Sequence, residues 1–204
     1  MPAITLYFSP FSRSFTARWM LEEIGAPYAV KTINLRKNEQ NSPEFLQLNP
    51  MGKVPALTDG AVTVSENPAI CIYLADRYSL GDLAPQLDDP RRGSYLRWMI
   101  FSTAVFEPAI YLPHDDDPTA ASGRGWGKRG DVINALDGAL SEGPWLLGNR
   151  FTAADVMMGS LLSVALFSKR IAEPPNSLAS YDQRLAARPA YRRAAEATWP
   201  ATKS

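Results

Sequence analysis

The chain has 204 residues, 46% of them hydrophobic, with 21 Lys+Arg against 21 Asp+Glu, one Cys and one His. Neutral charge argues against a general affinity for nucleic acid or an anionic membrane, and the apolar content excludes a disordered chain. Cys71 and His114 alone cannot make an intrachain disulfide, a Cys/His zinc site or a C-x-x-C redox pair, and a Ser-His-Asp triad would have to use His114.

Ile4 to Phe8 is a short apolar run closed by Ser9-Pro10 and predicts a buried strand. Ala17, Met20, Leu21 and Ile24 recur at helical spacing, and Gly25-Ala26-Pro27 supplies the stop. Tyr28 to Leu35 predicts a second strand, giving a βαβ opening with parallel, buried strands. Arg36 to Gln47 is a polar loop with a short helix from Ser42 or Pro43. Val54–Leu57 and Ala61–Val64 flank Asp59-Gly60 as a hairpin. Asn67 then reads as the N-cap of a helix with Pro68 at its first position and Ile70, Tyr73, Leu74 and Tyr78 on its apolar face.

Leu80 to Pro90 reads as a linker. Beyond it the pattern predicts helices over about 91–112, 124–141, 152–168 and 178–197. Before the third of these, Thr152 and Asp155 form a capping box, with Phe151 and Val156 as its hydrophobic staple. The run Val156 to Phe167 is too short for a bilayer, which needs about 20 residues, and Met1 to Pro10 lacks a charged start and a long apolar stretch. A soluble, cytoplasmic protein is expected. The fold reads as a small α/β domain over residues 1–79, a linker over 80–90 and an all-helical domain over 91–204.

Three further local features carry no function. His114-Asp115-Asp116-Asp117 lacks a calcium-loop spacing and reads as a solvated loop, so no metal is expected. A phosphate loop at Gly123 to Gly130 would need Gly at position 122 and Ser or Thr at 129, where the chain has Ser122 and Arg129. Cys71, between Ile70 and Ile72, reads as an inert core thiol.

Three segments, in this order and spacing, resemble the cytosolic glutathione transferase superfamily. They are Leu6 to Ser14 leading into Ala17–Glu23, Leu48 to Leu57, and Ser65 to Ala75. Gly148 to Val156 also resembles the buried helix start found late in such proteins. The resemblance is sharp over residues 4–75 and 148–165. It implies an N-terminal thioredoxin-like domain that binds glutathione and a C-terminal helical bundle with the electrophile pocket. It further implies a homodimer, a role in detoxification, glutathione as co-substrate and no tightly bound cofactor.

The site residues follow from the same resemblance. The chain looks like a bacterial member of the serine-type theta, phi and zeta classes, and that resemblance places the thiol-activating hydroxyl two residues after Pro10, at Ser12, with Ser9, Arg13 and Ser14 as alternatives. The beta class carries a cysteine where this chain has Arg13, which argues against mixed-disulfide chemistry. Tyr7 matches the tyrosine-type position but reads equally well as a packed strand aromatic. Val54-Pro55 matches the family's cis-proline turn, where the backbone of Val54 would pair with the cysteinyl part of glutathione. Lys53 and Gln40 would meet the glycyl carboxylate, and Glu66 with Asn67 (Ser in the family) would hold the γ-glutamyl group. Phe11, Trp98, Phe101 and Tyr111 are the candidates for lining the electrophile pocket, amid a stripe that also holds Arg97, Phe106 and Glu107. Two alternatives stand: a glutathione-dependent isomerase or dehalogenase, weakened by Arg13 in the Ser12-Arg13-Ser14 row, and a non-catalytic member that binds glutathione or a hydrophobic ligand.

Overall fold

The computed structural model describes residues 3–112 and 123–199, so His114 to Asp117 and the reading of them as a solvated loop lie outside the described residues. The chain divides into two units. Of the described residues, one takes in those through Leu80 together with Ala187–Trp199, and the other those between Gly81 and Ala186.

In the first unit, β1 (Ile4–Phe8) alternates as a strand must: Ile4, Leu6 and Phe8 are buried, Thr5 and Tyr7 half-buried. α1 (Ser14–Ile24) ends where Gly25, at φ 70°, turns its N–H to the Leu21 carbonyl at 3.0 Å. β2 (Tyr28–Thr32) runs parallel to β1 with Ile4 opposite Tyr28. β2 stops short of the expected Leu35 because the Asn34 side chain accepts from the Lys37 N–H and opens a 3-10 turn over Leu35–Lys37. Ser42 caps α2 (Pro43–Leu48). β3 (Ala56–Asp59) and β4 (Val62–Ser65) form the hairpin, turned at Gly60-Ala61 and not at Asp59-Gly60. The sheet order is β2-β1-β3-β4, with β1 antiparallel to β3. α3 (Asn67–Tyr78) packs beside α1. Tyr7 points to the other face, where it joins Ile33, Phe45, Leu48, Val54 and Ala56.

The expected helix over 178–197 is two helices in different units. Arg188 precedes Pro189 and takes extended backbone, at ψ 133°, which ends one helix and starts the next. The later one, Pro189–Thr198, packs on α1 with the first unit, not with residues 91–186 as expected. The Tyr191 ring meets Phe15 and Trp19 at 5.1 and 4.9 Å, and Trp199 lies 4.5 Å from Phe15. Arg188 grips Glu23 with two hydrogen bonds of 2.6 and 2.7 Å, and Arg193 reaches Glu22 at 2.7 Å.

The second unit holds α4 (Arg92–Phe101), a π-helical stretch over Ser102–Phe106, α5 (Glu107–Tyr111), α6 (Arg129–Leu140), α7 (Ala153–Phe167) and α8 (Asn176–Ala186). Pro108 has no N–H to give the preceding turn, and the π stretch sits where that α-helical bond is lost. Among the described residues the last helix is therefore α9 (Pro189–Thr198). α7 is buried along nearly its whole length and starts at the capping box of Thr152 and Asp155. The Asp155 carboxylate accepts from Thr152 N–H at 2.8 Å, Leu146 N–H at 2.9 Å and the Tyr181 hydroxyl at 2.9 Å. Burial pushes this carboxyl up to about 6, and those donors pull against it. Among the described residues no helix is long and apolar enough to cross a membrane.

Candidate active site

The chain enters α1 through a serine turn. Phe11 stands at φ 54°, in the left-handed region that a bulky residue rarely adopts, and the residue is 66% exposed. Its N–H donates to the Thr198 carbonyl at 3.0 Å, so the end of α9 holds the turn in place. Ser12 Oγ lies 2.7 Å from the Ser9 carbonyl and 2.9 Å from Ser14 Oγ, and it accepts from the Ser14 N–H at 3.1 Å. Ser14 Oγ in turn accepts from the Ser9 N–H at 3.3 Å. Ser9 is 5% exposed and Ser14 0%, whereas Ser12 is half-buried. Of these three serines, Ser12 is the least buried. Its contact with the Ser14 N–H also satisfies the first amide of α1.

Arg13 and Asn67 join the starts of two helices. The Arg13 carbonyl accepts from Asn67 Nδ2 at 3.0 Å across 54 residues of chain. A carbonyl can only accept, which fixes the orientation of the Asn67 amide. Asn67 Oδ1 is left buried and without a hydrogen-bond partner among the described residues. Asn67 is not the N-cap expected from the sequence. It is the first helical residue, and Glu66, at φ 68° with its side chain exposed, precedes the helix. A non-glycine residue held there costs on the order of 1–3 kcal/mol, and such outliers concentrate at functional sites.

Lys53, Val54 and Pro55 form the lead into β3, and the Val54–Pro55 bond is cis. The buried side chain of Asn49 shapes this lead: Nδ2 donates to the Lys53 carbonyl at 2.9 Å and Oδ1 accepts from the Met51 N–H at 3.2 Å. Gly52, at φ 61°, lets the lead lie against the turn that carries Gln40. A Cβ there would sit 2.5 Å from Asn41 Oδ1 and 3.3 Å from the Gln40 carbonyl. Gln40 donates to Asn38 Oδ1 at 3.1 Å, and its own Oε1 is buried without a partner among the described residues. Lys53 is exposed.

Tyr7 belongs to another place. Its ring packs edge-on against Phe45 at 6.1 Å under Lys31 and helps line an opening of about 320 Å³ beside β2, which neither Ser12 nor Asn67 lines. In the second unit, Trp98 is 2% exposed and packs edge-on against Phe101 at 5.0 Å, so it serves the core there. Phe101 and Tyr111 are half-buried. Cys71 is fully buried, and burial pushes its thiol up to about 12, far from a reactive thiolate. Two contributors escaped sequence reasoning. Asn49 lay inside a quoted motif, where only a buried polar residue in an Asn-Pro-x-Gly turn hints at its clamp. The Thr198 carbonyl gives no local signal at all.

Three comparisons bear on the family of the chain. Residues 2–76 match the family model described as glutathione S-transferase, N-terminal domain. The chain is 32% identical over 146 residues to glutathione S-transferase 1 of Schizosaccharomyces pombe, covering 67% of this chain and 64% of that protein. It is 27% identical over 194 residues to glutathione S-transferase GstA of Escherichia coli O157:H7, covering 90% and 93%. The crystal structure of the theta class glutathione S-transferase from Xanthomonas axonopodis pv. citri, with glutathione bound, superimposes with a TM-score of 0.75. That match has 29% identity over 95% of this chain and 97% of the other.

Proposed function

Because the chain belongs to the cytosolic glutathione transferase superfamily, we propose that it binds glutathione in its first unit and activates the thiol for attack on a small hydrophobic electrophile. The observation that carries this reading is the serine turn: Ser12, half-buried at the start of α1, with Ser9 and Ser14 buried beside it.

A free thiol of this kind has a pKa of about 8.5, so roughly 3% is thiolate at pH 7. Lowering it to about 6.5 makes roughly three-quarters thiolate and takes about 2.7 kcal/mol of preference for the anion. A hydrogen bond from Ser12 to a charged sulfur contributes about 1.5–3 kcal/mol. The helix dipoles at the starts of α1 and α3 add about 0.3–1 kcal/mol each. No histidine base is required. Ser12 donates its proton and is not the nucleophile.

The rest of glutathione follows the surrounding groups. The backbone of Val54 pairs with the cysteinyl part as an added strand would. Lys53 and Gln40 face the glycyl carboxylate. At the start of α3, Glu66 pairs with the ligand's ammonium and Asn67 contacts the γ-glutamyl group. Phe11, exposed beside Ser12, offers an apolar contact to the electrophile. We further propose a serine-type, bacterial enzyme of detoxification, cytoplasmic and homodimeric in keeping with the family resemblance.

The test is a pH titration of thiolate absorbance for bound glutathione. The wild type should show a bound-thiol pKa near about 6.5, and Ser12→Ala should raise it toward about 8.5, roughly 25-fold less thiolate at pH 7. A lowered pKa that Ser12→Ala leaves unchanged moves the donor role to Arg13 or the backbone. Absence of binding removes the reading.

A further inference from the structure

The three serines at the start of α1 hold more hydrogen-bonding capacity than a cap needs. We propose that Ser14 is a positioning residue for thiol activation: its hydroxyl and its N–H together pin the Ser12 oxygen, so that the Ser12 proton can swing from the Ser9 carbonyl onto a thiolate. This inference rests on Ser12 being the thiol donor.

The argument is a count of protons. Ser12 has one hydroxyl proton and two acceptors in reach, the Ser9 carbonyl at 2.7 Å and Ser14 Oγ at 2.9 Å. The carbonyl can only accept, so the shorter contact takes the Ser12 proton. The proton between the two hydroxyl oxygens is then that of Ser14. Ser14 Oγ still accepts from the Ser9 N–H at 3.3 Å, so it both donates and accepts. The Ser12 oxygen thus receives two donors from one residue, Ser14 Oγ–H and Ser14 N–H, the latter at 3.1 Å.

This arrangement suits an anion. When a thiolate arrives, the Ser12 proton leaves the Ser9 carbonyl for the sulfur, and no bond to the Ser12 oxygen has to break. Two donors drawing on that oxygen also make its remaining O–H a stronger donor, as in any hydrogen-bonded chain. Ser14 itself is fully buried and does not touch the ligand. Its effect passes through Ser12.

Cooperative strengthening of about 10–30% per bond, applied to a lowering of about two pKa units, predicts that losing the Ser14 hydroxyl raises the bound-thiol pKa by about 0.2–0.6 unit. That is up to about fourfold less thiolate at a pH below the pKa. The experiment titrates thiolate absorbance at saturating glutathione in wild type, Ser12→Ala, Ser14→Ala and Ser14→Cys. Ser14→Cys keeps the volume and offers only a weak donor, so it serves if Ser14→Ala does not fold. The expected result is a pKa raised in the Ser14 variants, less than in Ser12→Ala, with KM for glutathione unchanged. Equal pKa values in wild type and the folded Ser14 variants, with Ser12→Ala raised, overturn the role of Ser14 alone. A Ser12→Ala value equal to wild type overturns the underlying thiol-donor reading as well.

Discussion

Glu23 is where the last helix is fastened, and its removal should be felt in both stability and function. Its carboxylate is 7% exposed and takes three donors: Trp19 Nε1 at 2.8 Å, and Arg188 Nε and Nη2 at 2.6 and 2.7 Å. Arg188 is 28% exposed, so its share must be set below the 3–5 kcal/mol that breaking a fully buried pair costs, at about 2 kcal/mol. Trp19 is fully buried, and losing the acceptor of its indole N–H adds about 1 kcal/mol. Glu23→Ala should therefore cost about 3 kcal/mol, or roughly 6–12 °C in the unfolding midpoint for a chain of this length. Glu23→Gln keeps an acceptor oxygen for Trp19 and one arm of Arg188 and should cost about 1 kcal/mol. Urea unfolding at pH 7 followed by circular dichroism reads both values. The functional consequence comes through Phe11, whose N–H is held by the Thr198 carbonyl at the far end of the same helix. Loosening α9 should raise KM for glutathione in Glu23→Ala before it affects Glu23→Gln. The reasoning fails if Glu23→Ala unfolds within 1 kcal/mol of wild type, or if Gln is as damaging as Ala.

Two further outcomes follow from the first unit. Gly52→Ala places a Cβ 2.5 Å from Asn41 Oδ1 at φ 61°, so a cost of about 1–3 kcal/mol and a raised KM for glutathione are expected; an unchanged KM would detach the Gln40 turn from the binding site. Asp59 is held below its usual range by the Tyr78 and Tyr73 hydroxyls at 2.6 and 2.8 Å, with the Arg77 guanidinium also on its carboxylate. A lowered folded pKa stabilises above the unfolded value near 3.8 and loses that contribution as pH falls through the folded one. Urea midpoints should therefore fall more steeply below about pH 4 in wild type than in Asp59→Asn, and equal slopes would assign the acid sensitivity elsewhere.

What the sequence made legible was local. β1 and α1 stand where the apolar spacing and the Gly25-Ala26-Pro27 stop placed them, because a strand's alternation and a helix's cap are written in neighbouring residues. The capping box at Thr152 was legible for the same reason, but Tyr181, a third donor to Asp155, was not, since it lies 26 residues away. The hairpin slipped because Asp59-Gly60 is a strong turn pair. Pairing of Asp59 with Val62 keeps Leu57 in the core opposite Leu6, and the turn falls one residue later. The break at Pro189 was visible as a proline, yet its consequence was not. Glu23 and Arg188 are 165 residues apart, and no periodicity on either helix names the other as its partner. The serine turn shows the same limit at short range. Ser9, Ser12 and Ser14 are chemically alike in the sequence. The fold, by burying two of them and tying the turn to Thr198, makes their hydroxyls different.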